Sequence, residues 1–256
     1  MAAIPPPSDT LADRIYKALE SASEPSRGHL GASQIGHHCD RYLWLSFRWA
    51  CPEQFQGRIL RLFRRGHNEE AGVISDLRAA GCEVMDADGT GRQYGFRDGH
   101  FAGSIDGMVL AGIPEAPTKP HVLEAKTHSL KSFNDVVAKG VKASKPMHYA
   151  QMQTYMARMS VDRALYFAVC KDDDRIYTER VRLDKDEAER LADRAQRIIA
   201  ISDVHGNGHL LQRLLEQIGF STKDALVLLG DHIEKGDGSL YTLRFDCTLS
   251  WVNHLL

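Results

Sequence analysis

Two acids and one lysine have the types and spacing that could hold a divalent cation and hydrolyse a phosphate ester. Glu124 and Lys126 lie two residues apart in the apolar segment 121–128, and Asp106 interrupts a second strand-like segment, 99–110. Because side chains alternate along a strand, Glu124 and Lys126 would project from one face. If the two segments pair, Asp106 and Glu124 could share a hard cation through oxygen while Lys126 adds a positive charge. The pattern predicts a metal-dependent phosphodiester hydrolase.

A histidine and a glutamate upstream could extend this site. The pattern of residues 58–80 predicts one or two helices, broken or bent near Gly66. His67 and Glu70 are three residues apart and therefore share a helix face. Either could point at a metal if this helix lies against the two acidic strands. The alternative is a histidine beside acids on the surface, with no role in binding.

The surrounding elements alternate between strands and helices. The pattern predicts an amphipathic helix over residues 10–22 and a second one that Ser33 would cap. Strands are predicted over residues 83–86, 93–96, 101–110, 122–127, 163–170 and 175–183. Helices are predicted over 148–159 and 184–198, and residues 129–145 form a helix or loop. This arrangement predicts an α/β fold with a mixed sheet flanked by helices.

The helix over 148–159 carries two polar residues, Gln151 and Tyr155, four apart and on the face that also holds His148. Its neighbour in the chain contains four lysines that could contact phosphates or simply be solvated: Lys131, Lys139, Lys142 and Lys145.

Composition sets the class of protein. The chain has 256 residues, a net charge of -2 and 43% hydrophobic residues, which are ordinary values for a soluble globular protein. No apolar stretch approaches the ~20 residues of a membrane span, and the first residues lack signal-peptide features, so we expect a cytoplasmic protein without membrane contact. The five scattered cysteines predict free thiols. Arginines cluster at positions 58, 61, 64 and 65, so any nucleic-acid contact must be local, unless they form an ordinary solvated helix face.

Four motifs occur in an order that resembles the PD-(D/E)XK nuclease superfamily, and in particular its RecB-type, phage lambda-type and YqaJ-like exonuclease branch. They are residues 66–70 (GHNEE), 104–107 (SIDG), 124–126 (EAK) and 151–155 (QMQTY). The opening segment with Ser33, Cys39 and Arg41 also resembles that branch. The proline of the eponymous motif is absent, because Ile105 precedes Asp106.

The resemblance implies a restriction-endonuclease-like fold and a role for each matching residue. Asp106, Glu124, the carbonyl of Ala125 and either His67 or Glu70 would hold Mg²⁺ or Mn²⁺. Lys126 would orient the attacking water, while Gln151 and Tyr155 would position the catalytic strand and the DNA. Products would carry a 5′-phosphate and a 3′-hydroxyl. DNA would be contacted by Ser33, Arg41, Arg61 and Arg65.

The resemblance also bears on cofactors and partners. Some relatives hold an iron–sulfur cluster with one early and three late cysteines, but after Cys39 only Cys170 and Cys247 occupy late positions, so we expect no cluster. DNA is the expected partner. A homo-oligomer or a phage recombination protein would be further partners, since this branch is frequent in phages. Lys126 beside two acids should stay protonated when no metal is bound.

The C-terminal part of the chain carries a different pattern. An apolar strand ending at Asp203 and His205, a helix and an apolar strand ending at Asp231 predict a βαβ unit with ligands at the carboxyl ends of its strands. Residues 197–245 resemble the opening of a calcineurin-like metallophosphoesterase, in which these three residues would be metal ligands. The later histidine ligands of that family are missing, which predicts a truncated or fused remnant.

The sequence thus divides into a leader at residues 1–28, a nuclease-like domain at 29–196 and a partial phosphoesterase segment at 197–256. The leading hypothesis is a Mg²⁺-dependent deoxyribonuclease, more specifically an exonuclease acting in phage or bacterial DNA processing or recombination. One alternative is phosphoester hydrolysis through the C-terminal segment. The other is a DNA-binding module whose catalytic activity has lapsed.

Overall fold

Helices and strands alternate through most of the chain. The computed structural model describes residues 10–22, 29–47, 55–196, 198–201, 207–217 and 225–228. The helices are α1 (Leu11–Ser21), α2 (Asp40–Phe47), α3 (Gly57–Ala79), α4 (Leu130–Ser144), α5 (Pro146–Arg158), α6 (Lys185–Gln196) and α7 (Gly208–Gln217). The strands are β1 (Leu30–Gly31), β2 (Glu83–Met85), β3 (Gly95–Asp98), β4 (Phe101–Ser104), β5 (Gly107–Ala111), β6 (His121–His128), β7 (Arg163–Cys170), β8 (Ile176–Arg182), β9 (Ile198–Ile201) and β10 (Ala225–Leu228).

The central sheet has five strands in the order β2-β5-β6-β7-β8. Strands β6 and β7 run parallel, and the other neighbouring pairs run antiparallel. Helices α4 and α5 form the crossover between the two parallel strands, as such a connection requires. The predicted mixed sheet flanked by helices is therefore confirmed.

Alternation along β6 divides the core into two layers. Val122 faces a cluster that includes Met152 of α5, whereas Leu123 and Ala125 face a cluster that includes Ile74 of α3. Burying side chains of this size contributes about 1.5–3 kcal/mol each, so the register of β6 is strongly fixed. This alternation confirms that Glu124 and Lys126 share a face with Val122.

A second sheet, of order β1-β4-β3, meets the first at Asp106. The sequence predicted one strand over residues 101–110, and that prediction is wrong. The segment forms β4 and β5, which belong to different sheets, with Ile105 and Asp106 between them. The backbone N–H of Ile105 donates to the carbonyl of Tyr94, which extends the β3–β4 pairing one residue beyond Ser104. The break places Asp106 at the junction of the two sheets.

Two further expectations about local structure are wrong. Helix α3 runs unbroken through Gly66, because burial of Val73, Ile74 and Leu77 supports the helix beyond the glycine. Ser33 does not cap a helix, since it lies in the turn after β1, and α2 begins seven residues later at Asp40.

The turn that contains Ser33 is connected to α6. Arg194 of α6 contacts the Asp40 carboxylate, its Nε 2.6 Å from Oδ1, and donates through Nη1 to the carbonyl of Ile35 at 2.7 Å. The Arg194 and Asp40 side chains are almost buried. Breaking such a pair from one side would leave an uncompensated charge, so α6 anchors the segment that leads into α2.

The C-terminal elements confirm the predicted βαβ unit as far as the structure describes it. Strands β9 and β10 pair in parallel, from Ile198 opposite Ala225 to Ile201 opposite Leu228, with α7 between them in the chain. Both strands contact α2. Among the described helices, none has the length and apolarity needed to cross a membrane.

Candidate active site

Glu124 and Lys126 form a charged pair on the face of β6 that α4 and α5 cover. The Glu124 side chain is fully buried, whereas 27% of the Lys126 side chain is exposed. The ammonium of Lys126 lies against Oε1 of Glu124. Among the described residues Lys126 is the only hydrogen-bond donor to this carboxylate, and Oε2 of Glu124 has no partner. A buried carboxylate oxygen without a hydrogen bond is costly, and few native polar atoms are left in that state.

Asp106 joins this pair from the neighbouring strand. Pairing between β5 and β6 ends at Gly107 and Leu123, and the Asp106 Oδ2 atom then accepts a hydrogen bond of 2.8 Å from the backbone N–H of Ala125. The same oxygen lies 4.0 Å from Nζ of Lys126. The end of the β5–β6 ladder thus brings together the two acids and the lysine singled out by sequence.

Helix α3 contributes Glu70 to this group but leaves His67 outside it. The Glu70 side chain is 22% exposed, and burial together with the charge of Asp106 raises its pKa. His67 is 75% exposed and contacts Glu70 through Nδ1 at 3.2 Å from Oε1. Of the two alternatives that the sequence left open, Glu70 therefore lies closer to the strand acids, and His67 contacts Glu70 from the solvent side.

Gln151 and Tyr155 of α5 line the same face of the site. Both side chains are buried, and Nε2 of Gln151 donates to the Tyr155 hydroxyl at 3.3 Å. Strand β4 approaches closely here, because a Cβ added at Gly103 would lie 2.8 Å from the Tyr155 ring. Burial raises the pKa of Tyr155, and the charge of Glu124 raises it further. Tyr155 is therefore a neutral hydrogen-bonding group.

The electrostatics of the pair follow from burial and from each other's charge. Burial raises the pKa of Glu124 to about 7, against the opposing effect of Lys126. Burial alone would lower the pKa of Lys126, but the charges of Glu124 and Asp106 outweigh it and raise that pKa. Lys126 is therefore protonated without a metal, as the sequence predicts.

The donor set suits a hard divalent cation, although it does not form a closed cage. Within the described ranges, no three His, Cys, Asp or Glu side chains are arranged as a metal site. The Lys126 ammonium lies against Glu124 and neutralises the negative charge of that carboxylate, as a bound cation would also do. The carboxylates of Glu124, the neighbouring Asp106 and the nearby Glu70 offer hard oxygen donors of the kind that Mg²⁺ and Mn²⁺ prefer, and Oε2 of Glu124 has no other partner among the described residues.

The basic residues differ in whether acids neutralise them. Lys139 and Lys145 contact Asp135, and Lys142 contacts Asp184. Helix α3 differs, because in the described part of the chain Arg58, Arg61 and Arg64 form no ion pair. An open pocket of about 410 Å³ is lined by Arg58, Arg61, Leu62, Arg64, Arg65 and Asn68. This arginine patch is the group of basic side chains best placed to accept an anion.

The other two residues predicted to contact DNA lie apart from the arginine patch. Ser33 is in the turn after β1 and Arg41 is in the first turn of α2, and both are partly exposed. Arg65, within the patch, donates through Nη2 to the carbonyl of Lys171 at 2.9 Å. This bond fixes one edge of the patch to the turn that follows β7.

Comparison with solved structures finds distant similarities. An alkaline exonuclease from Laribacter hongkongensis, LHK-Exo, is 17% identical with a TM-score of 0.43, over 79% of this chain and 99% of that chain. The same protein in complex with dAMP gives 16% identity and a TM-score of 0.45, over 70% and 87%. A structure of SSO0001 gives 16% identity and a TM-score of 0.41, over 72% and 84%. No curated protein sequence matches the chain.

One protein family matches part of the chain. The calcineurin-like phosphoesterase family matches residues 196–253, which agrees with the expected resemblance of the C-terminal segment. The three predicted ligands of that segment, Asp203, His205 and Asp231, lie outside the described residues.

A polar cluster next to the site was not predicted from the sequence. His128 and His148 both contact the hydroxyl of Tyr166, which is buried on β7. Two spacings could have predicted that the histidines lie near the site. His128 follows Lys126 by two residues on the same strand face, and His148 shares a helix face with Gln151. Tyr166 carried no such signal, because it lies within the uniformly apolar run of β7.

Proposed function

We propose that the chain is a metal-dependent deoxyribonuclease that hydrolyses phosphodiester bonds, and more specifically an exonuclease. The observation that carries this proposal is the buried Glu124 carboxylate, whose Oε1 atom lies against the partly exposed Lys126 and whose Oε2 atom has no hydrogen-bond partner among the described residues. Asp106 lies at the same point of the sheet. Such a group adds little to stability, so a chemical role is the better explanation for it.

Asp106 and Glu124, with the carbonyl of Ala125 and Glu70, would hold Mg²⁺ or Mn²⁺. The bound cation would polarise the phosphate and favour deprotonation of the attacking water. In this assignment His67 supports Glu70 through their 3.2 Å contact rather than binding the metal itself.

The remaining residues of the site handle charge and orientation. Lys126 keeps its proton at Nζ and stabilises the negative charge that develops on the phosphate oxygens. Gln151 and Tyr155 present neutral donors beside it, held by their mutual hydrogen bond. Products with a 5′-phosphate and a 3′-hydroxyl are expected.

DNA would reach this site along the arginine patch. Arg58, Arg61 and Arg64 have no acidic partners in the described residues, and guanidinium groups bind phosphates with several donors at once. Arg65, Ser33 and Arg41 are further proposed contacts. A cytoplasmic location, a homo-oligomer and a phage recombination partner stay predictions, as do the domain boundaries.

Incubation of linear and closed circular DNA with Mg²⁺ tests the proposal. Lys126→Ala should reduce degradation about 10²–10³-fold, the usual effect of removing a group that stabilises transition-state charge. Lys139→Ala is the matched control, because the Lys139 ammonium in the neighbouring helix already contacts Asp135 at 2.7 Å. Degradation of linear DNA alone would establish an exonuclease. DNA binding without degradation by the native protein would instead support the lapsed module.

The family match over residues 196–253 favours a second candidate function, metal-dependent phosphoester hydrolysis by Asp203, His205 and Asp231. Turnover of a small phosphomonoester or phosphodiester should then be lost in Asp231→Ala and kept in Lys126→Ala. The opposite pattern would exclude this candidate.

A further inference from the structure

A chain of buried polar groups begins two residues beyond Lys126. The Tyr166 hydroxyl lies 2.8 Å from Nε2 of His128 and 2.8 Å from Nδ1 of His148. The other ring nitrogen of His128 lies 2.9 Å from the hydroxyl of Ser132. Tyr166 is fully buried and His128 nearly so. We call Ser132, His128, Tyr166 and His148 the histidine–tyrosine network.

Hydrogen-bond counting fixes how the two imidazoles complement each other. The phenol carries one proton, so Tyr166 can donate to only one of the two histidines, and the other must donate to the phenol oxygen. Both rings are neutral, because burial lowers the pKa of His128 to about 4 and that of His148 to about 3. Every polar atom of the network therefore has a hydrogen-bond partner only when all four side chains stay in position.

The network joins four elements at one end of the site. His128 ends β6, Ser132 is in the first turn of α4, Tyr166 belongs to β7 and His148 is in the first turn of α5. Tyr166 is also the register partner of Glu124 in the parallel β6–β7 ladder. The network therefore links the strand that carries Glu124 and Lys126 to the helix that carries Gln151 and Tyr155.

His148 is one of the anchors of the first turn of α5, beside the close approach of Gly36 to Met147 and Ala150. Lys145, at the N-cap position of α5, provides no side-chain hydrogen bond to the helix. Met147 is exposed, so it adds little burial. His148, Gln151 and Tyr155 share one face, and a shift of the first turn would be passed along that face to the site.

We propose that His128, Tyr166 and His148 are positioning residues for the proposed nuclease reaction, which hold the first turn of α5 against β6 so that Gln151 and Tyr155 stay aligned with Lys126. This inference rests on the proposed function, and it assigns a role to three residues that the proposed function does not use. The network acts on alignment during the chemical step, and we expect DNA binding to be unchanged because none of its four residues lines the arginine patch.

The test compares variants that remove one contact with variants that keep it. Tyr166→Phe removes the shared hydroxyl, and Tyr177→Phe is the matched control, since Tyr177 donates only to Glu179 on the same strand. His148→Ala removes the link, whereas His148→Asn keeps a polar atom near the Nδ1 position. For each variant, kcat and KM on linear DNA with Mg²⁺ are measured, together with amide hydrogen exchange in α5.

Tyr166→Phe should lower kcat about tenfold and leave KM unchanged, and His148→Asn should recover most of what His148→Ala loses. Amides of the first turn of α5 should exchange faster in Tyr166→Phe but not in Tyr177→Phe. An unchanged kcat in Tyr166→Phe, or equal loss in His148→Asn and His148→Ala, would overturn the proposal. If the native protein degrades no DNA, the proposed function fails, and unchanged exchange in Tyr166→Phe would then overturn the positioning role separately.

Discussion

At the scale of single residues, the pairing of Glu124 with Lys126 is the least expected feature of the core. Removing two charges from water costs several kcal/mol per ion, and an apolar pair in the same place would often be as stable or more so. The protein nevertheless keeps a fully buried Glu124 for which Lys126 is the only hydrogen-bond donor among the described residues. The free-energy cost of burying this charge is explained if the Glu124 carboxylate takes part in the reaction rather than in folding.

The two network histidines should make stability depend on pH. Burial, with the charge of Lys145, lowers the pKa of His128 to about 4, and burial, with the charge of Lys126, lowers that of His148 to about 3. An unfolded histidine has a pKa of about 6.5, so below that pH the unfolded chain binds more protons than the native protein. The free energy of unfolding should therefore fall as the pH drops from about 6.5 to about 4, on the order of 3 kcal/mol per histidine.

Urea unfolding at pH 7, 5 and 4 measures this effect. The double variant His128→Gln with His148→Asn keeps polar groups but does not titrate in this range, so its unfolding free energy should fall less steeply. Identical pH dependence in the native and double-variant proteins would show that the histidines are not held neutral in the fold.

At the scale of elements, two glycines illustrate opposite constraints. Gly66 lies inside α3, and a Cβ there would meet nothing within 4 Å. Gly103 lies in β4, and a Cβ there would be 2.8 Å from both the Tyr155 ring and Cβ of Ala32. The first position is open helix surface, while the second is a close approach between the sheet and α5.

Alanine at these positions should have effects of opposite sign. Gly66→Ala should raise the free energy of unfolding by up to about 1 kcal/mol, because alanine is the better helix former. Gly103→Ala should lower it by about 1–3 kcal/mol through overpacking, and should also slow DNA degradation by displacing Tyr155. Chemical denaturation measures both. A stabilising Gly103→Ala would contradict the close packing of Tyr155.

Sequence patterns predicted those parts of the fold that repeat with a regular period. The alternation in β6 follows from a period of two, and the shared face of α5 follows from a period of 3.6. The split between β4 and β5 at Asp106 could not be predicted, since Phe101–Ser104 and Gly107–Ala111 are both strand-like and only tertiary pairing separates them. The continuity of α3 through Gly66 also depends on tertiary packing, which overrides the low helix propensity of glycine.

The site was predictable to a similar extent. Asp106, Glu124 and Lys126 were placed together because strand periodicity and the motif order agreed. The choice between His67 and Glu70 was not decided by spacing, because both share one face, and it depended on which side chain the helix packing turns inward. No polar role was predicted for Tyr166, because a buried tyrosine in an apolar strand usually contributes to packing.

At the scale of the whole molecule, charge is nearly balanced while the basic surface is local. The net charge is -2. Lys139, Lys142 and Lys145 contact acids, whereas Arg58, Arg61 and Arg64 of α3 form no ion pair in the described part of the chain. A polyanion would therefore be bound by a patch rather than by the overall field of the protein. Affinity for DNA should then come from a small number of phosphate contacts.

Each arginine of the patch should contribute about one phosphate contact. Arg61→Ala should reduce the slope of log K against log salt concentration for duplex DNA by about 1, since each neutralised phosphate releases counterions. Lys139→Ala is the control, because its ammonium already contacts Asp135 at 2.7 Å. Binding is measured by fluorescence anisotropy in a Glu124→Gln background, so that DNA stays intact. Equal slopes for Arg61→Ala and Lys139→Ala would contradict the proposed DNA path.

The most direct test of the central claim is the rate at which Glu124→Gln degrades linear DNA at saturating Mg²⁺, compared with the native protein and with Asp231→Asn. Glutamine keeps the shape of the side chain and removes the charge, and urea unfolding checks that the variant is folded. The account predicts a loss of at least about 100-fold in Glu124→Gln and a native rate in Asp231→Asn. A folded Glu124→Gln protein that degrades DNA at the native rate would contradict it.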